Sequence, residues 1–443
     1  MKWNPEKIKM LIEGSKEAVP RLEAMQKAKG INAENPSVTV TKAFCQYLEN
    51  ILKAPEEEKP IVYQQYSVWP ELIYAFDLQP ICMEATSGLT LAINPMDPKG
   101  LAKYIDIAQD GGIPRDLCSV NKVGIGEILL KALPPPKFVL CHTQACDSGR
   151  STFQVIQDIT GAPLFFLDSP YGEGEEEIAY MARQIKAMIS FIEEQTGRKL
   201  DWDRAKEVIE ESNRMVEYWL EWNELRKLIP CPAESMQGGI TFVTSAALSG
   251  HPQGTAVMKA LRDEAIERVE RGLRVVPEEK IRASWFHMHV LWDLSYLNYL
   301  QEQYGAVSVI QLISYYAANR PIDTSSPERM IRGLAERYLM SLPMARQGRG
   351  AADIWLDDLL YTAKEWKADC IILASHNGCK YLKASYAMAR DECQKAGIPI
   401  LMFDVDMEDP RVVSKELYRK KVEDFLNLIV LPAKDRQSRD GKE

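Results

Sequence analysis

Asp369-Cys370-Ile371-Ile372-Leu373-Ala374-Ser375-His376-Asn377-Gly378-Cys379-Lys380 decides the fold class. Its apolar run, Ile371 to Ala374, is bounded by polar residues and breaks at Asn377-Gly378, as a buried parallel strand does where it enters a tight loop. The loop ends on a thiol, Cys379, and a helical pattern follows from Tyr381 to Ala396. In open α/β sheets, ligands bind outside the carboxyl ends of the strands. A cysteine at that position stands where chemistry is done.

Outward from this stretch, the same unit recurs. Short apolar runs at Ile61-Val62-Tyr63, Pro80 to Glu84, Phe138 to His142 and Pro163 to Leu167 predict one set of strands. Ile281 to Phe286, Ala306 to Ile310, Cys370 to Ala374 and Ile398 to Phe403 predict a second. Helical patterns separate them, and strands alternating with helices imply parallel sheets. The expected architecture is α/β: two Rossmann-like parallel-sheet domains with a helical N-terminal segment and a helical connector. The boundaries are 1–57 for the helical N-terminal segment, 58–173 for the first α/β domain, 174–275 for the connector and 276–443 for the second α/β domain. Pro70 opens a helix after the Ser67-Val68-Trp69 loop, and the charged end after Leu431 reads as a frayed tail.

A chain of 443 residues exceeds one hydrophobic core. Its 46% hydrophobic and 26% charged content is ordinary for a soluble globular protein. The formal charge of -9 argues against sequence-independent nucleic-acid binding. No apolar run approaches the roughly 20 residues of a membrane span, and Met1 to Lys7 lacks the apolar core of a signal peptide. A cytoplasmic location is expected. The nine cysteines, an odd number with no Cys-x-x-Cys pair, argue against a disulfide framework, a zinc ribbon or a thioredoxin-type motif.

Two cysteines besides Cys379 sit at loop-to-helix junctions. Cys118 lies in Asp116-Leu117-Cys118-Ser119 and Cys146 in Ala145-Cys146-Asp147. Three thiolates on three loops could converge on one iron–sulfur cluster, and three rather than four would leave one iron open. Buried packing is the other reading of all nine thiols.

These motifs, together with Val68-Trp69-Pro70-Glu71-Leu72-Ile73-Tyr74-Ala75, His376-Asn377-Gly378-Cys379-Lys380 and the ending from Gly397 to Arg411, make nearly the whole chain resemble the 2-hydroxyacyl-CoA dehydratases and ATP-dependent benzoyl-CoA reductases. The length is similar to that of the family's larger iron–sulfur subunit. The resemblance implies a 4Fe–4S cluster on Cys118, Cys146 and Cys379, with a non-cysteine ligand or substrate oxygen at the fourth iron. It implies a heterodimer with a similar, smaller subunit, a separate ATP-hydrolysing iron–sulfur activator, and an acyl-CoA substrate. Dehydration of an (R)-2-hydroxyacyl-CoA to an enoyl-CoA through a ketyl radical is the first expectation. Aromatic ring reduction of benzoyl-CoA is the alternative within the family. A non-catalytic iron–sulfur electron carrier would instead predict four protein ligands, recruiting Cys141 or Cys82, and a cluster-free binding fold would leave every thiol inert. No Walker A motif occurs, so P-loop ATP use belongs to a partner.

The remaining candidates come from the residues. Glu84, at the end of a strand, could act as acid/base or as a cap, and Ser67 could donate to the thioester or cap the Pro70 helix. His287 and His289 alternate at a strand end, so one could line the pocket and the other belong to the core. Arg346 and Arg349 lie on a Gly-containing loop that could clamp CoA phosphates, or simply on the surface. Asp404, Asp406, Glu408 and Asp409 look like a divalent-metal run but fit turn and capping roles better.

Overall fold

The computed structural model describes residues 3–93, 100–144, 146–286, 289–318, 320–350 and 352–440. These residues form eight strands in two parallel sheets of four. The first sheet holds β1 (Ile61–Gln64), β2 (Gln79–Cys82), β3 (Phe138–His142) and β4 (Leu164–Leu167) in the order β2-β1-β3-β4. The second holds β5 (Ile281–Phe286), β6 (Ala306–Gln311), β7 (Cys370–His376) and β8 (Ile400–Val405) in the order β6-β5-β7-β8. One strand order therefore occurs twice. Every residue of β1, β2, β3, β5, β6 and β7 is buried, which is why these strands read as short continuous apolar runs and not as alternating ones.

In this order the chain leaves the first strand to one side, returns across it, and continues on the other. The connections that leave the carboxyl ends of β1 and β3 therefore run to opposite sides, as do those of β5 and β7, and each pair opens a crevice of the kind that binds ligands in doubly wound sheets.

The helices between the sheets are Glu175–Thr196, Trp202–Leu225, Gln237–Leu248 and Pro252–Glu270. Ahead of the first strand, helices Glu6–Ala28 and Pro36–Lys53 pack on each other, and the second also packs on Pro252–Glu270. Asn35 caps the second helix by accepting from Ser37 N at 2.9 Å, with Pro36 in its first turn. Its buried Ala43, Phe44, Tyr47, Leu48 and Ile51 form one helical stripe. No described helix is long and apolar enough to cross a membrane.

Four details depart from the sequence reading. Strand β2 ends at Cys82, so Glu84 lies in the first turn of helix Met83–Ile93 and not on the strand; no turn residue separates the two elements. Strand β7 runs on through Ser375 and His376, because these pair with Asp404 and Val405 of β8. The helical stretch after Cys379 is broken at Ser385 into Lys380–Ala384 and Tyr386–Lys395. The segment after Leu431 is a helix, Leu431–Asp440, held to the body by Lys434 Nζ on Asp369 Oδ2 at 2.6 Å.

Candidate functional site

Each of the three candidate cysteines immediately precedes a helix. Cys118 stands before Ser119–Leu129, Cys146 before Asp147–Thr160 and Cys379 before Lys380–Ala384. Cys146 Sγ accepts from the first-turn N–H of Gly149 at 3.2 Å. The N–H groups of Val120 and Leu382 act on Cys118 and Cys379 in the same sense. All three thiols line one cavity of about 580 Å³.

Three contacts bind the cysteine loops to one another. Asn121 Nδ2 donates to Ser148 Oγ at 2.8 Å, joining the helices that follow Cys118 and Cys146. Gly378 lies on the backbone of Leu117 and Cys118 so closely that a β-carbon there would overlap it. This glycine is required for space, since its loop is an ordinary tight turn with Cys379 N bonded to His376 O at 2.8 Å. Outside the turn, Lys380 pairs with Asp116 at 2.7 Å. The loop after β7 is thus seated directly on the loop that carries Cys118.

Burial pushes all three thiols up: Cys118 well above its ordinary value, Cys146 to about 12, and Cys379 in the same direction. Their mutual proximity adds to the effect at Cys118 and Cys146. Three half-buried thiolates side by side require compensating positive charge, and metal supplies it while deprotonating the thiol outright. Among the described residues, no three His, Cys, Asp or Glu side chains are gathered to grip a single ion. A cluster binds its thiolates through different metal atoms and does not need them around one point. The donor set, three thiols lining one cavity with backbone N–H groups toward sulfur, therefore fits an iron–sulfur cluster.

Glu84 lines the same cavity. Its Oε2 accepts from Tyr66 N at 3.1 Å, with Cys82 Sγ at 3.8 Å. Burial raises it to about 7, partly offset by these hydrogen bonds. A carboxyl that titrates near neutrality inside a cavity can both give and take a proton. Cys82 itself is fully buried behind it, and Cys141 is likewise buried, its Sγ 3.5 Å from Gln65 Oε1.

Ser67 is buried beside the cavity. Its hydroxyl is 3.0 Å from Gln65 Oε1 and 3.0 Å from the Gln144 carbonyl, so it holds the loop before Cys146. Gln65 also accepts from His142 N at 2.9 Å, tying the ends of β1 and β3 together. His287 lies outside the described residues. His289 is buried against Trp285, ring centroids 4.5 Å apart, and burial lowers it to about 3, with Arg226 and His376 adding to the shift. Arg346 is bonded to Asp358, and Arg349, 1% exposed, to Glu173 and the Gly172 carbonyl. Both guanidinium groups are committed to carboxylates of the protein. In the acidic run, Asp406 Oδ1 caps the turn through Glu408 N at 3.0 Å and Asp409 N at 2.9 Å. Asp409 pairs with Arg411, and Asp404 with Lys383.

Sequence reasoning missed the cavity wall. Tyr66, next to the Ser67 singled out above, lines it, and so do Leu22, Val40 and Phe44 of the N-terminal helices. Around Cys118 the lining is apolar: Val120, Phe242, Leu291, Met344 and Met407 pack together there.

Comparison with known proteins places these features in a family context. Residues 65–429 match the family described as 2-hydroxyglutaryl-CoA dehydratase, D-component. The chain is 23% identical over 413 residues to the (R)-2-hydroxyisocaproyl-CoA dehydratase alpha subunit of Clostridioides difficile, covering 88% of this chain and 95% of that one. It is 22% identical over 333 residues to the (R)-phenyllactyl-CoA dehydratase alpha subunit of Clostridium sporogenes, covering 73% and 79%. Similarity to a benzoyl-CoA reductase subunit of Thauera aromatica is at the same level, 23% over 395 residues, covering 81% and 86%.

Proposed function

The chain belongs to the 2-hydroxyglutaryl-CoA dehydratase D-component family, and from that premise we propose that it is the cluster-bearing subunit of an (R)-2-hydroxyacyl-CoA dehydratase. It is an enzyme of the dehydratase or reductase type. The reaction proposed is loss of water from the 2-hydroxyacyl thioester, through a ketyl radical, to give an enoyl-CoA. The carrying observation is that Cys118, Cys146 and Cys379, from loops of both α/β units, line one cavity together with Glu84.

Held by these cysteines, a 4Fe–4S cluster would supply one-electron chemistry and, at an iron without a protein thiolate, a Lewis acid. The protein's own part is proton management and exclusion of water. Glu84 takes or gives the proton, since burial brings its carboxyl to about 7. The wall formed by Val120, Phe242, Leu291, Met344 and Met407 receives the acyl chain. Lys29 and Lys380, on the same cavity, are paired with Glu234 and Asp116. Among the described residues this favours an uncharged, apolar acyl group over one that ends in a carboxylate.

The relatives are named as alpha subunits, which supports assembly with a related, smaller subunit. The absence of a Walker A sequence fits electron delivery by a separate ATP-hydrolysing iron–sulfur activator. The test begins with iron and acid-labile sulfide per chain after strictly anaerobic purification, where about four of each are expected. Loss of both in Cys118→Ala, Cys146→Ala or Cys379→Ala should follow. Turnover of a 2-hydroxyacyl-CoA with activator and ATP completes it. Protein never exposed to air that contains no iron would overturn the proposal; consumption of benzoyl-CoA alone would move it to the reductase side of the family.

A further inference from the structure

Tyr66 follows the carboxyl end of β1 by two residues and is 7% exposed. Its ring leans on Phe242, centroids 5.4 Å apart and planes tilted by 48°. Its backbone N–H fixes Glu84 Oε2 at 3.1 Å. The residue lines the cavity, and its hydroxyl is buried with no hydrogen-bond partner among the described residues. The charged or chargeable groups that act on this phenol are Cys146, Glu84, Cys379 and Cys118, all on the same cavity. Burial first, then these four acidic neighbours, keep the phenol in its protonated form. Beside it, the Ser67 hydroxyl is turned onto Gln65 and Gln144.

A buried donor without a partner leaves its desolvation uncompensated, and one carried by a residue of the cavity wall can be satisfied by an acceptor on a bound ligand. We propose that Tyr66 is a further catalytic residue, whose Oη donates a hydrogen bond to the thioester carbonyl oxygen of the acyl-CoA bound in this cavity. That oxygen gains negative charge when an electron enters the carbonyl. A neutral phenol hydrogen-bonded to that oxygen stabilises the charge without surrendering a proton. The division of labour follows from the shared anchor: Tyr66 N–H holds the Glu84 carboxyl that moves protons, while Tyr66 Oη holds the oxygen that gathers charge. The inference rests on the acyl-CoA reading above.

The test is Tyr66→Phe in the enzyme purified anaerobically with its partner subunit and activator. We expect kcat to fall about 100-fold, with KM changed much less, as for other single donors to a developing oxyanion. Iron content and cluster midpoint potential should match the parent. The thermal midpoint should be unchanged or higher, because the lost hydroxyl has no partner among the described residues, whereas a structural hydroxyl would lower it. Parent-like kcat in Tyr66→Phe alongside an active parent would overturn the Tyr66 assignment alone. So would a shifted cluster potential with kcat/KM intact, which would make the cluster the acceptor. A parent enzyme that neither binds nor turns over any acyl-CoA would sink this inference together with the reading beneath it.

Discussion

Replacing Glu84 by glutamine tests the electrostatics of the cavity directly. The carboxyl is half-buried, and its donors are backbone N–H groups, that of Tyr66 among them, with a weak contact from the Cys82 thiol. Burial outweighs them and moves its ionisation from 4.5 to about 7. Between those two values the folded protein holds a proton that the unfolded chain has released, so stability falls as pH rises through that window. The shift corresponds to roughly 3 kcal/mol, absent well below the unfolded value and complete above the folded one. Glutamine keeps the shape and the acceptor for Tyr66 N–H and carries no charge. Glu84→Gln is therefore expected to exceed the parent in stability by up to about 3 kcal/mol at pH 8.5 and by less than about 1 kcal/mol at pH 5. Urea denaturation of both proteins after removal of any bound metal, under anaerobic reducing conditions, measures this at the two pH values. The same substitution should cost on the order of 100-fold or more in turnover and remove the inflection near neutrality from the pH profile. An identical stability difference at both pH values, or a less stable variant at pH 8.5, would refute the reasoning.

Gly378→Ala should force apart the loops of Cys379 and Cys118, at about 1–3 kcal/mol of overpacking strain, and should lower iron per chain with the secondary structure intact; iron content and circular dichroism check both halves. If the apolar wall near Cys118 receives the acyl chain, a 2-hydroxyacyl-CoA with a branched aliphatic tail should exceed 2-hydroxyglutaryl-CoA in kcat/KM by at least about 100-fold, since an unpaired carboxylate against apolar walls is costly. Equal rates for the two thioesters would disprove that assignment of the wall. Lys434→Ala should release the C-terminal helix from Asp369 with a loss below about 1 kcal/mol, seen as faster hydrogen exchange after residue 431 while the midpoint of unfolding hardly moves.

What the sequence made legible follows from what burial does to it. Strands covered on both faces must be apolar throughout, so Phe138 to His142 and Ile371 to Ala374 stand out against their polar flanks. Strand ends do not: Ser375 and His376 are polar, and only the pairing with Asp404 and Val405 extends β7 over them. The change from β2 into a helix at Met83 has no breaker to announce it. The terminal helix is charge-rich, and its ion pair reaches a residue far away in the chain. The loop cysteines could be recognised as candidates, because a thiol between a strand and a helix is conspicuous. Tyr66 could not be: an aromatic residue after a strand is ordinary, and only the fate of its hydroxyl distinguishes it from its neighbour Ser67.

The repeated strand order explains why chemistry gathers at one place. Doubly wound sheets open a crevice where the order reverses, here beyond β1 and β3 in the first sheet and beyond β5 and β7 in the second. Cys146 follows β3 and Cys379 follows β7, so each unit delivers a thiol from the equivalent position of the same topology. The two positions face one cavity because the units meet there, with Gly378 of one against Cys118 of the other. Neither unit alone supplies the full set: the first carries two of the cysteines and Glu84, the second carries the third. A ligand bound to all three would therefore be sensitive to how the units pack, and small displacements at their contact would change the site before they changed either sheet. This makes the absence of a side chain at position 378 a requirement of the site as much as of the fold.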